Sequence, residues 1–128
     1  MGIPTVHDSW QQLIDDEKVE AVVVAVPPSA HFDVVTAALR AGKHVLCEKP
    51  FGVDAGQAAR MWELARASDR VCMVDYMFRM APERVRLKEL LDGHEIGRII
   101  RVTVEWTVDA PPAPRVRFTI AAMTSLAL

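Results

Sequence analysis

Gly42-Lys43-His44-Val45-Leu46-Cys47-Glu48-Lys49-Pro50 decides the fold. Gly42 suits the left-handed position just past a helix C-terminus. Val45, Leu46 and Cys47 form an apolar run of strand length. Glu48-Lys49-Pro50 then sets two opposite charges and a rigid ring at the strand's carboxyl end. In open α/β sheets that rim is where ligands bind. Core packing asks for no Glu-Lys pair there, although a solvated turn with a weak surface ion pair would read the same way.

The flanking segments repeat the helix–strand alternation. Val19-Glu20-Ala21-Val22-Val23-Val24-Ala25-Val26 is a nearly unbroken β-branched run, which predicts a strand buried on both faces, as in a parallel sheet. Pro27-Pro28 ends it. Before it, Ser9 with Gln12 has capping-box spacing for a short helix carrying Trp10, Leu13 and Ile14. After it, Ser29 is the expected N-cap of a helix that runs through Val34, Val35, Ala38 and Leu39 to Gly42. Asp54 with Gln57 opens a further helix striped by Ala58, Met61, Trp62 and Ala65, in which Trp62 reads as core or packing surface. Val71–Val74 predicts a third strand. Pro82 to Leu91 predicts a helix that starts on proline and is capped by Gly93. Ile99–Trp106 alternates after its start and predicts a strand with one wet face, in a second sheet. This order predicts an α/β fold of parallel crossovers. Ala110-Pro111-Pro112-Ala113-Pro114 reads as a linker, and the apolar tail from Ala121 to Leu128 has no partner in view.

Composition narrows the function classes. The 128 residues are 51% hydrophobic and 25% charged, as in ordinary globular domains. A net charge of −2, with Lys and Arg dispersed along the chain, points to no nucleic-acid partner. No apolar stretch approaches membrane-spanning length, and the N-terminus lacks the pattern of a signal peptide. Cys47 and Cys72 both fall in apolar strands and read as buried thiols, which fits a reducing cytoplasm. No Cys or His pair has zinc-ligand spacing, so no metal site is expected.

Four motifs occur in order: Val26-Pro27-Pro28-Ser29-Ala30-His31, Gly42 to Pro50, Tyr76-Met77-Phe78-Arg79-Met80-Ala81-Pro82, and Leu87 to Ile99. Together they resemble the glucose–fructose oxidoreductase, inositol dehydrogenase and MocA family over roughly residues 4 to 106. The resemblance implies the second half of a Rossmann-type parallel sheet in residues 1–95. Residues 96–128 would then hold the first strand of a C-terminal α/β substrate domain. It implies NAD or NADP as cofactor and hydride transfer to or from a sugar- or polyol-type C–OH. By position Lys49 takes the catalytic role, polarising the substrate oxygen and assisting proton transfer. A lysine partly desolvated at a strand end can have its pKa lowered toward working pH. Glu48 would contact the nicotinamide ribose, and Pro50 would fix the turn, cis or tightly bent. Pro27, Pro28 and His31 match the family's loop over the cofactor, with Pro28 where Asn is common. His31 also reads as a first-turn residue beside Ser29. Arg79 would approach the cofactor or the cleft, a surface ion pair being the other reading, and Tyr76 reads as wall.

The sequence departs from the family pattern at both ends. No Gly-x-Gly-x-x-Gly is present, so the first βαβ unit that cradles the pyrophosphate is expected to be missing. Arg115-Val116-Arg117-Phe118 resembles a family lead-in, but the residues that follow do not match it, as in a chain interrupted near residue 118. Two expectations follow. The Val22–Val26 strand should leave an open apolar edge that invites self-association. NAD(P) binding by this chain alone should be weak or absent, without turnover. A non-catalytic remnant that serves as a binding or oligomerising module is the alternative to an enzyme.

Overall fold

The computed structural model describes residues 5–101 and the backbone of Thr119–Met123. Its elements run α1 (Trp10–Asp15), β1 (Ala21–Ala25), α2 (Pro28–Arg40), β2 (His44–Glu48), α3 (Ala55–Ala67), β3 (Cys72–Asp75), a 3-10 turn (Met77–Met80), α4 (Pro82–Asp92) and β4 (Thr119–Met123). They divide into two compact units, Met1–Asp75 with Arg117–Leu128, and Tyr76–Val116.

Local chemistry sets the helix ends. Ser9 Oγ accepts from the Gln12 N–H at 3.2 Å and the Asp54 carboxylate from the Gln57 N–H at 2.7 Å. In both caps the glutamine reaches one residue further back than a standard capping box, to the N–H of Asp8 and of Val53. Helix α2 departs from expectation. It begins at Pro28 after Pro27 and has no side-chain cap, so Ser29 lies inside the first turn. Proline at the first helical position needs no cap for the N–H it lacks. At the other end Gly42 (φ +74°) closes a Schellman motif, with Lys43 N–H on Ala38 O at 2.9 Å and Gly42 N–H on Leu39 O at 3.1 Å. In the second unit Gly93 is the C-cap of α4 and keeps helical φ, so the left-handed position falls to His94 (φ +56°). That helix buries no residue. It carries exposed ion pairs from Arg86 to Glu89 and from Lys88 to Asp92.

The sheet order is β3-β2-β1-β4, with β1, β2 and β3 parallel. Val22, Val24, Val45 and Cys47 point to one face, where α2 and α3 bring Val34, Val35, Ala38, Leu39 and Met61. Arg60 stacks over Phe32 at 5.1 Å and adds a cation–π link between those helices. The opposite face is only half-buried at Ala21, Val23 and Leu46, and Met73 on it is exposed. The unbroken valine run is therefore not a strand buried on both faces. Successive crossovers in one direction stack their helices on one side. Trp62, read as core or packing surface, is 54% exposed. It lies under the Arg66 guanidinium at 4.8 Å.

Two polar features tie the frame together. Buried Lys43 gives its ammonium to Asp16 O at 2.9 Å, the carbonyl that also accepts from Val19 N–H and marks the end of α1. Cys47 donates its thiol to Glu48 O at 3.3 Å. Burial, with smaller contributions from neighbouring Cys72 and Glu48, pushes the Cys47 thiol up to about 12. Cys72, half-buried, is also raised by burial, and both thiols are free.

The tail does have a partner. β4 pairs antiparallel with β1, Ala21 opposite Met123 through Ala25 opposite Thr119. The β1 edge expected to stand open is occupied by this chain's own strand. The Ile99–Trp106 strand and the proline linker lie outside the described residues beyond Arg101, and residues 99–101 are not in a strand.

Three outcomes are expected. Lys43→Met should lower stability by about 1.5–3 kcal/mol, the range for a hydrogen bond from a charged donor, measured by urea unfolding. Because the folded Cys47 holds its proton where an unfolded thiol loses it, stability should fall as pH rises from 9 toward 12. Cys47→Ala should flatten that alkaline decline. Successive N–H groups of a strand point to opposite sides, so Ile120→Pro with Ala121→Pro removes a ladder donor to β1. Amides of Val22–Val24 should then exchange faster with deuterium, and larger species should appear by size exclusion.

Candidate functional site

Parallel pairing brings the carboxyl ends of β1, β2 and β3 to one rim. Val24 lies opposite Cys47, and Glu48 opposite Asp75. The Val26-Pro27-Pro28 turn, the Glu48-Lys49-Pro50 turn and Asp75 therefore share this rim. Glu48 is half-buried, and its carboxylate folds back to accept the Lys49 N–H at 3.1 Å. Lys49 and Pro50 are exposed, and the peptide between them is cis. Lys49, expected to be partly desolvated, is exposed among the described residues.

His31 bridges the two turns from beneath. Its ring is completely buried (0% exposed) in the first turn of α2. Nδ1 lies 2.8 Å from Pro50 O and Nε2 2.9 Å from Val26 O. Both partners can only accept. A neutral imidazole donates to one of them, and a ring with N–H on both nitrogens donates to both. His31 thus meets backbone from both sides and presents no nitrogen at the surface. Pro27 is exposed at the helix entry and Pro28 half-buried at the first helical position.

Sequence reasoning passed over two residues here. Gly52 is pressed against the start of α3, where an added Cβ would lie 2.9 Å from the Ala58 nitrogen and 3.1 Å from the Gln57 Cβ. The chain leaving Pro50 can pass only without a side chain. A glycine two residues past a Glu-Lys-Pro turn was the available signal. Asp75 shares the face of Glu48 at the sheet rim and is half-buried. No sequence motif marked it. Arg79 lies in the second unit, exposed in the 3-10 turn where its N–H meets Tyr76 O at 2.7 Å. Tyr76 is exposed in the same unit.

The rim offers a carboxylate, an ammonium and a fixed turn, which is chemistry for binding and polarising a hydroxyl or carbonyl oxygen. The fit to a whole dinucleotide is partial. A pyrophosphate needs free N–H groups at a helix N-terminus. Two prolines, with no N–H to give, lead into α2, while the carboxylate of Asp54 caps α3. The described residues thus suit the nicotinamide end and supply no phosphate cradle. A concavity of about 500 Å³ lies on the helix side among Phe51, Ala58, Trp62, Ala65, Cys72 and Val74. Among the described residues no helix is long and apolar enough to cross a membrane, and no group of His, Cys, Asp or Glu could hold a metal ion.

The family model described as an oxidoreductase family with an NAD-binding Rossmann fold matches residues 1–76. The chain is 38% identical to the NADP(+)-dependent D-xylose 1-dehydrogenase of Hypocrea jecorina, over 81% of this chain and 27% of that protein. It is 36% identical to an inositol 2-dehydrogenase/D-chiro-inositol 3-dehydrogenase of Lactiplantibacillus plantarum, over 73% and 27%. Its fold superposes on levoglucosan dehydrogenase, solved with NADH and levoglucosan, at TM-score 0.69 and 30% identity, over 72% of this chain and 25% of that one. The chain spans about a quarter of the length of these relatives. A three-stranded parallel sheet and this match over more than half its length place the chain in the NAD(P)-using glucose–fructose oxidoreductase, inositol dehydrogenase and MocA family.

Proposed function

We propose that this chain carries the nicotinamide-facing and substrate-facing part of an NAD(P)-dependent oxidoreductase site acting on a sugar- or polyol-type C–OH. The observation that supports this most is the Glu48-Lys49-Pro50 turn at the end of β2, beside the turn that ends β1. The exposed Lys49 would hydrogen-bond the substrate oxygen, taking up its proton as the neutral amine or returning it as the ammonium. Glu48 would hold the nicotinamide ribose, and Pro27, Pro28 and Pro50 would wall the cofactor. The nicotinamide supplies the hydride acceptor or donor. Arg79, in the second unit, is assigned a contact at the cofactor or cleft, and His31 a supporting place beneath the two turns. Residues 1–95 are taken as the partial cofactor domain and 96–128 as the start of the substrate domain, except that Thr119–Met123 return to the first unit beside β1. The free thiols support a cytoplasmic setting, and the dispersed charge supports no nucleic-acid role.

The alternative, a non-catalytic remnant that binds or oligomerises, draws on two observations. The prolines before α2 and the Asp54 cap of α3 leave the pyrophosphate without donors. The exposure of Lys49 leaves its ammonium strongly hydrated. Titration with NADH and NADPH, read by energy transfer from tryptophan, separates the two readings. The enzyme-part reading expects saturable binding near 1 mM, about −4 kcal/mol, far weaker than a complete site. Lys49→Ala should leave that affinity within about twofold, because its role is toward the substrate oxygen. Absence of saturation at several times that concentration would leave the remnant reading standing.

A further inference from the structure

We propose that His31 is a positioning residue, the strut that sets the spacing between the Val26-Pro27-Pro28 turn and the Glu48-Lys49-Pro50 turn. The claim deepens the reading above, and only its cofactor arm rests on that reading.

A buried imidazole is a rigid plane whose two nitrogens point in nearly opposite directions. Here each nitrogen ends on a backbone carbonyl, Pro50 O at 2.8 Å and Val26 O at 2.9 Å. These carbonyls belong to turns 24 residues apart in sequence, each just past the end of its strand. No ladder hydrogen bond joins the turns, since the β1–β2 pairing runs from Ala21 with His44 to Val24 with Cys47. Beyond that point the ring provides a cross-tie. Either neutral tautomer keeps one of its two hydrogen bonds, and a doubly protonated ring keeps both. The ring is anchored on α2 rather than on a loop, and that helix packs into the core through Val34 and Val35. On the far side of the Pro50 turn, Gly52 lets the chain close on the start of α3, within 2.9 Å of the Ala58 nitrogen for an added Cβ. The turn that presents Lys49 is therefore held between two helices, by the His31 ring of α2 against Pro50 O and by close packing on α3. The apolar cluster buries apolar surface, whereas the His31 ring nitrogens end on backbone at the rim.

The test compares His31→Phe, which keeps a ring of similar size without donors, with His31→Gln, whose amide keeps a donor. Amide resonances of the isotope-labelled full chain are assigned in each. The proposal expects His31→Phe to fold, with Val22–Val24 and Val45–Cys47 unchanged, while resonances of residues 26, 29–30, 48–49 and 51–52 shift together. His31→Gln should bring both sets back toward their original positions. Unchanged resonances at either turn in the folded Phe variant would overturn the proposal, as would equal effects of Gln and Phe. If neither variant folds, His31 serves the core as a whole and the proposal is also overturned. NADH binding gives the separate arm. His31→Phe should weaken it about tenfold, with Gln recovering most of the loss. If the unaltered chain does not bind NADH, the oxidoreductase reading fails while the resonance shifts still decide the role of His31.

Discussion

Everything in the first unit depends on burying one stripe of small β-branched and sulfur side chains, Val22, Val24, Val45 and Cys47, beneath two helices. Burial at about 25 cal/mol per Å² of apolar surface is what a sheet this small has to set against backbone entropy. The stripe also dictates registry. Side chains alternate with period two, so a one-residue slip of β2 against β1 would exchange Val45 and Cys47 for Leu46 and Glu48. That slip would bury the Glu48 carboxylate among apolar side chains, at a cost no turn could offset. Core and rim are thus one constraint. The same registry that hides Cys47 places Glu48 and Lys49 where chemistry can reach them.

Much of this was legible. Long apolar runs ending in prolines or charges marked β1 and β2, because a ladder cannot continue through Pro27-Pro28 and a core cannot absorb Glu48-Lys49. Ser9 and Asp54 announced their helices, because a short polar side chain ahead of an apolar stripe has few other uses. The misses have physical causes too. The valine run looked symmetric because periodicity records where apolar residues are, not which face has a helix over it. Ser29 looked like a cap because the rule for side-chain caps does not foresee a helix that begins on proline. Trp62 matched the apolar stripe of α3, yet it lies at the stripe's margin, where an arginine covers it instead of the core.

The candidate site divides in the same way. Glu48, Lys49 and Pro50 stood out because opposite charges beside proline at a strand end are hard to explain by packing, and the turn does close β2. His31 was legible as unusual but not in its role. A histidine at a helix start gives no hint that two distant carbonyls converge on its ring. Gly52 and Asp75 acquire meaning only from neighbours that the fold supplies, the start of α3 for one and the end of β2 for the other. Convergence of this kind is a property of three dimensions, and one-dimensional spacing carries no trace of it.

The antiparallel strand beside β1 has a broader consequence. In a doubly wound sheet the slot next to this strand normally takes a parallel neighbour, whose return path needs a helix of its own. An antiparallel occupant makes no such demand, since its ladder is built from main-chain groups common to every residue except proline. Residues as plain as Thr119-Ile120-Ala121-Ala122-Met123 therefore suffice. Such a slot tolerates wide drift in the peptide that fills it.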